Sequence, residues 1–241
     1  LALAVLLPLY CVRLRIRRKK PLHLKERLAF VRPVPRGGRP FVWIHAVSVG
    51  EVQAAAPLVR IVKEESQGGI PVVLSTITPT GRAMARTLLE GYLDALIYYP
   101  WDVPTFVERA VEALSPRGYV VMETEIWPTL LFALRRRRIP TFLANGRLSP
   151  RTFDRARRWS FVWKDVWGSF EGLFMRSEED RARIVALGAP GERVQVLGDC
   201  KVDALLHRRG APETLSVAPP CDGPFVLAGS THAGEETVAL E

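Results

Sequence analysis

Cysteine is scarce. The 241 residues hold three, Cys11, Cys200 and Cys221, far apart and with no Cys-x-x-Cys pair. That spacing argues against a disulfide scaffold and a structural zinc site, and it fits a reducing compartment. The four histidines lack HExxH spacing, so nothing in the sequence calls for a catalytic metal. No GxxxxGK[ST] is present, which removes P-loop phosphate transfer, and no GxGxxG follows the first β-rich run, which weakens a dinucleotide-binding reading. The chain has no internal repeat and no low-complexity tract. Its opening apolar run, "LALAVLLPLYCV", is short of the roughly 20 residues that span a bilayer core.

What is present is an ordinary globular composition with a basic balance. Hydrophobic residues make up 48% and charged residues 24%, so disorder is a poor overall reading. Lys and Arg number 34 against 25 Asp and Glu, for a net charge of +9, which points to anionic partners: nucleic acid, phospholipid or a phosphorylated substrate. The basic stretch "RLRIRRKK" follows the apolar run, the reverse of a secretory signal peptide. Residues 1–20 are therefore expected to be a truncated, retained membrane anchor with its basic flank in the cytoplasm; a buried helix with a solvated basic end is the alternative. Residues 21–40 read as a Pro- and Gly-punctuated lead-in.

From Phe41 onward, β-rich runs alternate with segments of helical length and period. The runs are "FVWIHAV", "PVVLSTI", "ALIYY", "GYVVM", "TFLAN", "GLFMR" and "RVQVLG"; the helical segments include 51–66, 79–90, 103–114 and 128–138. Such alternation predicts an α/β fold, a parallel sheet covered by helices on both faces. One domain is expected over 41–205 and a Pro-rich linker over 206–224. At 225–241 the stretch "FVLAGSTHAGEE" opens a second α/β unit, so the chain reads as a fragment.

In open α/β sheets, ligands bind beyond the carboxyl ends of the strands. There the sequence places Ser48, Gly50 and Glu51 after the first run, Thr78, Thr80 and Gly81 after the second, Glu123 and Glu125 after the fourth, and Arg147 after the fifth. Glu51 has two readings. It is either a helix-start carboxylate, its pKa lowered by the helix dipole, or a general base able to take a proton from a hydroxyl. Glu123 and Glu125 either support the start of the helix at Pro128 or bind substrate hydroxyls and orient Arg147. Ser230, Thr231 and His232 lie at a strand-to-helix turn suited to a phosphate. The segment "RTFDRARRWSFVWKDVW" mixes Arg with Trp and Phe. It could stack on nucleic-acid bases, lie on a membrane surface or supply core aromatics with a solvated basic face.

"HAVSVGE", "TPTG", "METEIWP", "NGRLS", "SEEDRARIVALGA" and "GSTHAGEE", in this order, resemble the motifs of the 3-deoxy-D-manno-octulosonic acid (Kdo) transferases of Gram-negative bacteria. The resemblance implies a GT-B architecture of two Rossmann-like domains, the N-terminal one for the acceptor and the C-terminal one, here only begun, for the donor. It implies Kdo transfer from CMP-Kdo to a lipid A precursor by an inverting displacement. Glu51 is then the proposed base, and Ser48, Gly50, Thr78, Thr80, Gly81, Glu123, Glu125 and Arg147 are acceptor-side candidates. On the donor side it implies Ser230, Thr231 and His232, with no cofactor or metal. The implied partners are these two substrates and an anionic membrane surface at the cytoplasmic face of the inner membrane, and nucleic acid is not among them. A nucleic-acid-binding or non-catalytic α/β module is the alternative. Thr129, Gly146, Asp199 and Cys200 depart from the usual pattern, where Asn, Ala, Asn or Ser, and Leu stand. By itself the fragment is expected to transfer little or no sugar.

Overall fold

The computed structural model describes residues 23–30 and 40–203, without the Ser160 side chain. The expected anchor, linker and second α/β unit, and with the last Ser230, Thr231 and His232, lie outside the described residues. The described elements are α1 (Leu24–Arg27), β1 (Val42–His45), α2 (Val49–Glu65), β2 (Val72–Thr76), α3 (Pro79–Leu88), β3 (Ala95–Tyr98) and α4 (Pro104–Leu114). There follow β4 (Gly118–Met122), α5 (Pro128–Arg136), β5 (Thr141–Gly146), α6 (Pro150–Arg157), α7 (Ser160–Trp167), β6 (Gly172–Met175), α8 (Glu178–Ala186), a 3-10 turn (Gly191–Arg193) and β7 (Val194–Val196). All seven β-rich runs form strands.

The strands pair in parallel in the order β3-β2-β1-β4-β5-β6-β7, a Rossmann-like α/β sheet of the kind expected for the N-terminal domain of a GT-B enzyme. Their near-continuous apolar character follows from burial on both faces. One face carries Ile44, Val72 and Leu74 under α2 and α3, where Ala55, Ala56 and Val59 let α2 lie close to the sheet. The other carries Trp43, Val73, Tyr119 and Val121 under α4 and α5. Trp43 is fully buried, edge-on to Tyr119 at 5.1 Å, and its indole N–H donates to Ser75 Oγ at 2.8 Å.

Short polar contacts fix the helix starts. Thr78 Oγ1 accepts from the Gly81 N–H, and Ser149 Oγ accepts from the Thr152 N–H. Asp102, on the loop before α4, accepts from the Thr129 and Leu130 N–H groups and so caps α5 from outside it. The lead-in is tied down at α1. Glu26 accepts from the Tyr98 N–H and from Arg82, each at 2.7 Å.

Gly146, where the resemblance leads one to expect Ala, has a packing reason. A Cβ there would meet Met175 Sδ at 2.6 Å and Leu143 Cδ2 at 2.9 Å. Gly146→Ala is expected to cost about 1–3 kcal/mol through overpacking, seen as a lower midpoint in urea. Adding Met175→Ala, which clears the sulfur, is expected to recover part of that loss; an additive further loss would contradict the packing account.

Candidate functional site

The chain runs from β1 outward to β3 and then returns to β4 on the other side of β1. The crevice between the ends of β1 and β4 is thus the topological switch point, the place where ligands bind in open α/β sheets. Glu51 flanks it from the first turn of α2, while Glu123 and Glu125 flank it from the segment after β4.

Glu51 is 7% exposed. Its Oε2 accepts from the Val47 N–H at 2.8 Å and its Oε1 from the Ser48 hydroxyl at 3.0 Å. The helix-start reading is therefore realised, with Ser48 donating to the carboxylate instead of accepting from the helix. The expected lowering of its pKa is not. Burial raises the Glu51 carboxyl to about 7, against the pull of the Val47 and Ser48 hydrogen bonds and with a further push from Glu125 and Glu123. Taking the carboxylate out of water outweighs both the helix dipole and two hydrogen bonds. A carboxyl with that value is half ionised near neutrality, the condition that suits a general base.

Glu123 is 8% exposed and its backbone is left-handed, at φ 54°. Asn145, at the neighbouring strand end, has the same φ. Strain of this kind gathers at functional sites. One oxygen of Glu123 takes Arg147 Nε at 3.2 Å and the other takes Lys201 Nζ at 2.8 Å. That ammonium group is also the nearest heavy atom, at 4.0 Å, to a Cβ built on Gly50. Lys201, in the helical turn that starts at Cys200 after β7, thus bridges to the switch point. The sequence reading missed it, because a single Lys in "GDCKVD" carries no spacing signal.

The loops are tied to one another. The Thr124 hydroxyl donates to the Arg147 carbonyl, and the Val47 carbonyl accepts from the Thr78 N–H at 3.2 Å and its hydroxyl at 3.1 Å. Gly81 must come close, since a Cβ there would lie 2.8 Å from Thr78 Oγ1 and 3.1 Å from the Val47 oxygen. Thr78 and Gly81 thereby hold the loop that presents Glu51, and Thr80 is exposed.

A cleft of about 650 Å3 lies beside the crevice, its charged wall made by Glu123, Glu125, Glu179 and Asp180 with Arg147, Arg176 and Arg183. This is within the size range of small-molecule sites. Glu51, Ser48, Gly50, Thr78, Thr80 and Gly81 are not in its wall. Asp180 and Arg183 were also missed. The Ser-x-x-Asp signal at Ser177 marks a helix start, yet Asp180 does more, accepting from the Leu148 N–H at 2.7 Å. Among the described residues no group of three or more His, Cys, Asp or Glu is placed to hold a metal.

Glu125 tests the electrostatics. Burial and then Glu123 raise its own pKa, and its negative charge raises that of Glu51. Glu125→Gln removes a like charge and is expected to bring the Glu51 titration below about 7, read by carboxyl carbon NMR. An unmoved or higher midpoint would contradict the coupling.

The chain matches the family model described as 3-deoxy-D-manno-octulosonic-acid transferase (kdotransferase) over residues 22–204. It is 32% identical over 216 residues to the 3-deoxy-D-manno-octulosonic acid transferase of Haemophilus influenzae, covering 87% of this chain and 48% of that protein. It is 31% identical over 205 residues to the enzyme of the same name from Bordetella pertussis, covering 83% and 46%. The chain thus spans about half the length of these relatives. In fold it is similar to the UDP-GlcNAc 2-epimerase of Neisseria meningitidis, at a TM-score of 0.53 and 16% identity over 70% of this chain and 49% of that one. With the motifs, the sheet order and the family match in agreement, the chain belongs to the 3-deoxy-D-manno-octulosonic-acid transferase family.

Proposed function

We propose that this chain is the acceptor-side half of an inverting glycosyltransferase that moves Kdo from CMP-Kdo to a lipid A precursor at the cytoplasmic face of the inner membrane. The observation that carries the reading is Glu51, a buried carboxylate at the switch point with its pKa raised to about 7. In the reaction, ionised Glu51 takes the proton of an acceptor hydroxyl. That oxygen forms a bond to the anomeric carbon of Kdo from the face opposite CMP, and the bond to CMP breaks with its electron pair leaving on the phosphate. The hydrogen bonds from Val47 and Ser48 hold the carboxylate in one orientation while it is ionised. Lys201 and Arg147 neutralise Glu123 beside it, as Asp199 and Asp180 pair with Arg176 and Arg183 in the cleft wall, so that polar groups of the acceptor can enter.

The donor half, with Ser230, Thr231 and His232, and the N-terminal anchor belong to the same proposal. No helix among the described residues is long and apolar enough to cross a membrane. Binding to anionic vesicles through the basic flank is expected to weaken with salt.

Incubating the full-length protein with CMP-Kdo and the lipid A precursor tests the reading by mass spectrometry. A product heavier by one or more Kdo residues, with CMP released, is expected. Release of CMP without gain of mass on the lipid would overturn it.

A further inference from the structure

The charged cleft adjoins a second cavity of about 270 Å3, with which it shares Thr124, Glu125, Leu148 and Thr152. The character of the wall changes across that boundary. Beyond it stand Ile126, Trp127, Ala156, Trp163, Trp167 and Leu187, with Trp163 and Trp167 stacked at 5.6 Å. The same helix pair, α6 and α7, shows apolar residues to solvent. Trp159 is 60% exposed, Phe161 70% and Val162 45%, and Arg155, Arg157 and Arg158 are exposed beside them. Arginines with exposed aromatics suit the interface of an anionic bilayer, where the aromatic rings enter the headgroup layer and the guanidinium groups meet phosphates.

We propose that the apolar cavity holds one alkyl chain of an amphiphilic acceptor whose polar head sits in the adjoining charged cleft. The choice of a lipid occupant rests on the acceptor reading above. A charged compartment continuous with an apolar one matches a molecule with a head and a tail. Trp159 and Phe161 are exposed beside Ala156, Trp163 and Trp167 in the chain, which line the cavity, and suit the surface from which such an alkyl chain is drawn. A free sugar phosphate would fill the first compartment and leave the second without a use.

Isothermal titration of the 241-residue chain with 1-acyl lysophosphatidylglycerols of increasing acyl length, each below its micelle concentration, tests this. Affinity is expected to rise about fourfold per methylene and to level off once the cavity is full. Two obstructing variants are Ala156→Leu inside the cavity and Ile126→Trp on its half-buried wall, neither residue belonging to the wall of the charged cleft. Both are expected to weaken the longest probe tenfold or more and leave the shortest unchanged. Trp159→Ser/Phe161→Ser, outside the cavity, is expected to keep the full length dependence. The proposal is overturned if affinity ignores chain length, or if the length dependence survives obstruction and vanishes in the surface double variant, which would put the chain on the outer face. Should Ala156→Leu fail to fold, the half-buried Ile126→Trp decides. No sugar donor is used, so failed transfer in the full-length protein with length-dependent binding intact would sink the acceptor reading and leave the cavity assignment standing.

Discussion

Glu51→Gln in the full-length protein is expected to lower the kcat of the proposed transfer by about 10^2- to 10^4-fold, the contribution typical of a positioned general base, while the protein stays folded. Gln matches Glu in shape and can still accept from the Val47 N–H, the stronger of the two structural links to the loop. The pH dependence adds a second signature. A general base works only when ionised, so with Glu51 in that role the wild-type rate should climb with pH through about 7, and the variant's residual rate should lack that limb. Stability should respond in the opposite sense. The folded-state pKa of Glu51 lies above its ordinary value, so the folded chain binds this proton more tightly than the unfolded chain. The stabilising contribution is complete below about 4.5 and fades as pH rises through about 7. Glu51→Gln should therefore match or exceed the wild type in stability at pH 8. A variant that unfolds while losing activity would show that Glu51 serves only the helix start.

Trp43→Ala is expected to destabilise the chain by about 3–5 kcal/mol, the cost of deleting a large buried aromatic, lowering Tm by about 6–20 °C for a domain of this size. Trp43 packs on Tyr99 as well as Tyr119, and its indole bond to Ser75 continues to His45, whose Nδ1 lies 2.8 Å from Ser75 Oγ. Burial holds the His45 pKa near 3, so the imidazole stays neutral and the network keeps its form across the working pH range. Trp43→Phe, which keeps most of the packing and loses the N–H, should cost markedly less. Equal losses for Ala and Phe would make the hydrogen bond, and not the packing, the dominant contribution.

The sheet was legible because it rests on short-range pattern. Each run from "FVWIHAV" to "RVQVLG" is apolar enough to be buried on both faces, and the intervening segments have helical period, which leaves few topologies. The positions of Glu51, Glu123, Glu125 and Arg147 at strand ends followed from the same pattern, which left open whether Glu123 or Glu125 pairs with Arg147; Glu123 does. The Glu51 pKa did not. A helix dipole can be read from a local sequence, whereas burial by loops from elsewhere in the chain cannot, and here burial is the larger effect. Lys201, Asp102 and Asp180 were hidden for a related reason, since each acts on an element remote in sequence. The Trp- and Arg-rich segment could not be resolved because one short stretch does two jobs. Trp167 and Phe170 are buried, while Trp159 and Phe161 are exposed.

The account rests on burial at the crevice between β1 and β4 poising one carboxyl group near neutrality. Titration of the Glu51 side-chain carboxyl carbon by NMR, assigned by its absence in Glu51→Gln, tests this most directly. A midpoint of about 7 is expected; a midpoint at or below the ordinary value of 4.5 would contradict it.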